Sequence, residues 1–153
     1  MQTFLPYPDF EQSARCLDRA RLGKQRVEAW QLLEANRGIS SLRWSNHPAA
    51  KMWKGYEFGL CWYGQEICRE WIRRGYKDTM LQRFNQALIE LPQREVRTGE
   101  NFIWWKYTHL PKWLGSKEFH LSHMSNLLRK NSEHYIVFFG GGISTDLPYV
   151  WPV

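Results

Sequence analysis

The chain has 153 residues, a formal charge of +6 and a pI near 9.4. That length holds one domain, 1–153, with an ordinary hydrophobic core. A basic surface attracts phosphate over a Debye length, so the charge favours a polyanionic partner. Composition and patterning exclude disorder, a repeat array and a membrane-spanning run, and charges throughout the first thirty residues exclude a signal peptide. A soluble cytoplasmic protein with no membrane partner is expected.

The N-terminus MQTFLPYPDF reads as extended, because Pro6 and Pro8 push their preceding residues away from helical angles. Asp9 offers an N-cap with Gln12 as its capping-box partner, and a helix is predicted from about Phe10 to Arg21. Gly23 predicts a kink or break, after which helical signal resumes through Val27, Trp30, Leu33 and Glu34 to near Gly38. Residues 36–47 read as a connection, and Pro48 suits a first helical turn with His47 at the cap. The series Met52, Tyr56, Leu60, Tyr63, Ile67, Trp71 predicts one long amphipathic helix closed by Gly75. Within it Gly55, Gly59 and Gly64 suggest close approach of another helix or a ligand.

Asp78 can cap a third helix holding Met80, Leu81, Phe84 and Leu88. Pro92 to Asn101 reads as polar loop, and WWKYTHLPKW has no clean period. Ser116 caps a helix from about Lys117 to Lys130, followed by the apolar run IVFF, a turn at Gly140 to Gly142, and the extended tail DLPYVWPV. The fold class is therefore mainly α: a compact single-domain helical fold with extended N- and C-terminal segments.

Nine Trp, seven Tyr and eight Phe exceed what a core this small needs. Some are expected to line a cleft, where flat rings stack on bases. Cys16, Cys61 and Cys68 cannot all pair, and free thiols are the simplest account.

Two stretches carry candidate chemistry. LDRARLGKQRVEAW packs Arg19, Arg21, Lys24 and Arg26 into eight residues. On a continuous helix Arg19 and Arg26 share a face; a break at Gly23 would turn Lys24, Gln25 and Arg26 toward a new helix N-terminus and a phosphate. A solvated basic face is the alternative. FHLSHMSNLLRK places His120, His123, Leu127 and Lys130 along one helix face, and Ser122, Asn126 and Arg129 along the next. The pattern suits a polar cluster of His120, Ser122, His123, Ser125, Asn126, Arg129 and Lys130 facing an anion or base; a structural hydrogen-bond network is the alternative. Two histidines without a third and fourth ligand give no metal site, and no cofactor is expected. RRGYKDT reads as a helix–helix corner, and Gly-rich phosphate loops and a GxSxG elbow are absent.

Taken together, LGKQRVEA, RRGYKDT, the FHLSHMSNLLRK helix and the aromatic terminus with Trp151 resemble the pyrimidine-dimer DNA glycosylase family of DNA repair. The resemblance extends over nearly the whole chain through short motifs. A closer one is to uncharacterised bacterial and phage proteins that begin TFLPYPDF and end DLPYVWP. It implies a small helical fold and a bifunctional reaction. An N-terminal α-amine attacks deoxyribose C1′ and forms a Schiff base, a carboxylate assists, and β-elimination cuts the strand. Arginines hold flanking phosphates around a flipped nucleotide.

By that resemblance Gly23 to Arg26 fall on the family pattern, with Arg26 as the phosphate-binding arginine. The catalytic Glu position holds Val27; Glu28 follows one residue later, rotated by about 100° on a helix. Gln2 is bulky, so Met1 is expected to be retained and to carry the α-amine. The expected catalytic set is Met1, Glu28 and His123.

Three functions follow as expectations. One is a glycosylase on damaged or modified pyrimidines in DNA, with Schiff-base lyase activity. Another is a catalytically silent binder of a small nucleotide, such as a phage protein that captures a host immune signalling nucleotide. The third is an enzyme on free nucleotides with His120 or His123 as general acid–base. The sequence leaves the oligomeric state open.

Overall fold

A computed structural model describes residues 1–39, 44–92 and 109–153. Parts of the expected connection at 36–47, almost all of the loop from Pro92 to Asn101, and the first half of WWKYTHLPKW lie outside the described residues. Seven helices and no strand occur among those described.

Helix α1 (Phe10–Cys16) opens as its cap predicts, with the Asp9 carboxylate accepting from the Gln12 N–H at 2.7 Å. It ends five residues before the predicted limit. Leu17 is extended, and Asp18 starts α2 (Arg19–Asn36) by accepting from the Arg21 N–H at 3.0 Å. The break therefore falls at Leu17–Asp18, and α2 runs unbroken through Gly23. A carboxylate that caps a new helix decides the position, while glycine inside a helix costs only about 1 kcal/mol. Gly23 has a packing role instead: a Cβ there would stand 3.0 Å from the Trp71 ring.

The predicted long helix is two. His47 caps α3 (Pro48–Trp53) through Nδ1, which accepts from the Ala49 N–H at 3.1 Å. Gly55 then takes φ +85°, and α4 (Glu57–Arg73) begins. The 3-and-4 spacing carries across the corner, so periodicity alone could not reveal it. Gly75 closes α4 at φ +89°. Asp78 accepts from the N–H groups of Met80 and Leu81 at 3.0 and 2.7 Å and starts α5 (Leu81–Glu90).

Close approach explains two of the glycines. A Cβ on Gly59 would lie 2.8 Å from the His109 carbonyl, and one on Gly64 would lie 2.3 Å from the Phe84 ring. Gly64→Ala is expected to cost about 1–3 kcal/mol through overpacking. A lower urea midpoint at constant m would show it; an unchanged midpoint would contradict the ring contact.

Ser116 caps α6 (Lys117–Lys130), and the IVFF run lies in α7 (Ser132–Phe139), which starts at Asn131 and stops at Gly140. The core gathers around α4, where Leu60, Tyr63 and Ile67 are buried with Leu22, Leu32 and Leu33 of α2, Trp53 of α3 and Phe84 of α5. Cys16, Cys61 and Cys68 are buried free thiols, and burial raises all three above the ordinary thiol range. Among the described residues no helix is long and apolar enough to cross a membrane.

Candidate functional site

The N-terminal segment is threaded into the core rather than lying on it. Gln2, Thr3, Phe4 and Leu5 are all buried, and buried backbone groups need partners. Gln25 supplies several. Its Oε1 accepts from the Phe4 N–H at 2.9 Å, and its Nε2 donates to the Gln2 carbonyl at 2.8 Å. The Tyr63 hydroxyl sits 2.6 Å from Gln25 Oε1 and 3.1 Å from the Phe4 carbonyl. Trp53 Nε1 donates to the Thr3 hydroxyl at 2.9 Å. Two histidines clamp Leu5: its N–H donates to His123 Nδ1 at 3.0 Å, and its carbonyl accepts from His120 Nδ1 at 2.8 Å.

These bonds deliver Met1 to a cleft of about 350 Å³ whose lining includes Arg21, Lys24, Glu28, Lys130 and Tyr149. Glu28 is 8% exposed and Val27 43%, so the one-residue offset puts the carboxylate inward and the valine outward. Glu28 Oε2 accepts from Gln25 Nε2 at 2.9 Å and from the Gln2 N–H at 3.4 Å. Lys24 Nζ lies 3.4 Å from Glu28 Oε1 and is itself largely in solvent. A buried carboxylate, a chain terminus and several cations thus share one opening.

His47 belongs to the same neighbourhood. Burial and the α-ammonium at Met1 lower its pKa, while Glu28 opposes them. With Nδ1 accepting from Ala49, the neutral ring carries its proton on Nε2. Trp44 and Trp151 flank this ring at centroid distances of 6.0 and 5.9 Å. Tyr149 has its phenol pushed up to about 12, by burial first and by Glu28, against Arg129 and Arg21.

Lys130 at the end of α6 lines this cleft, and the other candidate residues of α6 are not among its lining. His120 uses both nitrogens, since Nε2 accepts from the Gly115 N–H at 2.9 Å. His123 is fully buried, edge-on to Tyr149, and burial followed by His120 takes its pKa down to about 3. It stays neutral, and its Nε2 has no hydrogen-bond partner among the described residues. Ser125 accepts from the Leu147 N–H at 3.1 Å and Ser122 from the Val150 N–H at 3.2 Å. Asn126 and Arg129 donate to the Leu147 carbonyl at 3.1 and 3.0 Å. The polar face of α6 holds the chain's own tail, and through it Tyr149 becomes a wall of the cleft.

Arg26 points elsewhere. Its guanidinium pairs with the buried Asp78 and lies over the Trp71 ring at 4.4 Å. It ties α2 to α4 and α5 instead of facing the Met1 opening. Among the described residues no three His, Cys, Asp or Glu side chains are grouped to hold a metal ion.

Arg21, noted in the sequence only as part of the basic stretch, and Tyr149, not expected as a site residue, both line the cleft. Asp18, three residues before Arg21, is the sequence signal that sets where α2 begins and hence where Arg21 points. Tyr149 had no local signal, because its place depends on the tail crossing α6.

A family model described as pyrimidine dimer DNA glycosylase matches residues 1–95, which include α1 to α5 and every α2 residue of the cleft. No curated protein and no solved structure matches. The chain belongs to the pyrimidine dimer DNA glycosylase family.

Proposed function

We propose that this member of the pyrimidine dimer DNA glycosylase family releases a damaged or modified pyrimidine from DNA and cuts the strand through a Schiff base at the α-amine of Met1. The observation that carries the reading is the buried Glu28 carboxylate hydrogen-bonded to the Gln2 N–H, next to the terminus that the core holds in place. Positioning of this kind is what an amine nucleophile needs, since it removes the entropy of bringing amine and carboxylate together.

In the proposed reaction the unprotonated amine attacks C1′ and the base departs with its bonding electrons, taking up a proton. Glu28 moves the protons that accompany sugar opening. The resulting imine acidifies C2′–H, and loss of that proton expels the 3′ phosphate. Lys24 and Lys130 supply positive charge for the flanking phosphates, while Arg21 is held at the cleft wall by its ion pair with Asp18. A sequestering role without chemistry calls for an aromatic box lacking a carboxylate, and Glu28 in the cleft favours the enzyme.

Ultraviolet-irradiated duplex and abasic-site duplex test this together. Strand cuts at adjacent pyrimidines and at the abasic position are expected. Intact strands with no released base would overturn the reading, and nucleotide recovered unchanged from the denatured protein would favour sequestration.

A further inference from the structure

Beyond the cleft, α2 meets a ring pair. The mid-helix Gly23 lets the Trp71 ring come within reach of the backbone, with a Cβ position only 3.0 Å away. From there contacts run in series. Arg26 lies over Trp71 at 4.4 Å, Trp71 meets Tyr76 at a centroid distance of 4.3 Å, and Arg19 lies over Tyr76 at 5.0 Å. The Trp71 Nε1 donates to the Lys77 carbonyl at 2.9 Å, which fixes the indole.

The two arginines at the ends differ. Arg26 is neutralised by Asp78, whereas Arg19 is exposed and has no carboxylate partner among the described residues. A guanidinium stacked on a ring keeps its plane fixed and its N–H edge free, so less entropy is lost when it grips a phosphate. Beside it a shallow, solvent-open surface groove is lined by Arg19, Ala20, Gly23, Lys24 and Trp71. Ala20 and Lys24 also line the Glu28 cleft, so the two openings adjoin.

We infer that this groove is a second anion site that takes a backbone phosphate of the DNA strand outside the Glu28 cleft, with Arg19 as the clamp and Tyr76 as its support. The inference rests on DNA being the substrate, but not on any bond being cut. It calls for a strand that leaves the cleft over Ala20 and is held again at Arg19. That second hold stiffens the strand beside the nucleotide to be flipped.

Titrating undamaged duplex DNA at salt concentrations from about 50 to 200 mM tests the site without any reaction. Arg19→Ala is expected to weaken binding and to reduce the slope of log K against log salt by about 0.9, one phosphate contact. Arg19→Lys, which keeps the charge and loses the planar fork, is expected to keep the slope and bind at least twofold more weakly. Arg15→Ala removes the same charge from a side chain paired with Glu11 and should leave the slope unchanged. An unchanged slope in Arg19→Ala, an equal loss in Arg15→Ala, or an Arg19 effect on inorganic phosphate alone would overturn the site. A protein that shows the Arg19 slope yet cuts nothing retains this site and loses the proposed reaction.

Discussion

Glu28→Gln is expected to lower strand cutting by about 10²–10⁴-fold while DNA binding and folding persist. Glutamine keeps the length and an acceptor oxygen for the Gln2 N–H and Gln25 Nε2. What it loses is the charge that moves protons, together with an ion pair whose lysine is 72% exposed. Such pairs contribute below about 1 kcal/mol, so stability should hardly change. Adding Val27→Glu to this variant is expected to restore nothing, because position 27 faces solvent. Recovery of cutting by Val27→Glu, or full activity in Glu28→Gln, would remove Glu28 from the mechanism.

Stability should fall as the solution is acidified below pH 6.5, well before the carboxylates titrate. His123 has a folded pKa near 3 against an ordinary value of 6.5, and burial lowers His120 and His47 in the same direction. Between those values the unfolded chain binds a proton that the folded chain refuses, so stability rises with pH across the window. The contribution is complete above pH 6.5 and is lost as pH falls toward 3, at up to about 1.4 kcal/mol per pH unit for His123. Asp18 and Glu70 add their losses only lower down. Burial raises both, but the Arg21 N–H and Tyr135 bonds outweigh it at Asp18, and Arg73 and Arg74 do so at Glu70. Urea midpoints at pH 7.5, 6.5 and 5.5 isolate the histidine phase, since Asp18 and Glu70 titrate below this range. His123→Asn, whose Oδ1 can still accept from the Leu5 N–H, should flatten the slope. A wild-type protein equally stable at all three pH values would contradict the buried neutral imidazole.

Local chemistry made much of this fold legible. Asp9, His47 and Ser116 cap helices where their side chains predict, Asp78 takes the Met80 and Leu81 N–H groups just ahead of α5, and Gly75 ends α4. Where the reading strayed, two local signals competed and tertiary packing decided. Gly23 looked like the break because glycine weakens helices, yet Trp71 needs that gap and Asp18 supplies a better start. Gly55 looked like one packing glycine among three, and only its φ of +85° separates α3 from α4.

The candidate site was legible in its parts. The polar face of α6 was evident, but not that its partner is the backbone of residues 147–150. Gln25 read as a ligand-binding side chain and proves to hold residues 2 and 4 in place. Glu28 was visible as a displaced carboxylate, and only the rotation of α2 shows that it faces the N-terminal segment.

Borohydride reduction with an abasic-site duplex, followed by peptide mapping, tests the central claim most directly. The account predicts one covalent protein–DNA adduct on the peptide beginning at Met1, absent when the α-amine is acetylated. No adduct, an adduct on a lysine, or equal trapping by the acetylated protein would contradict it.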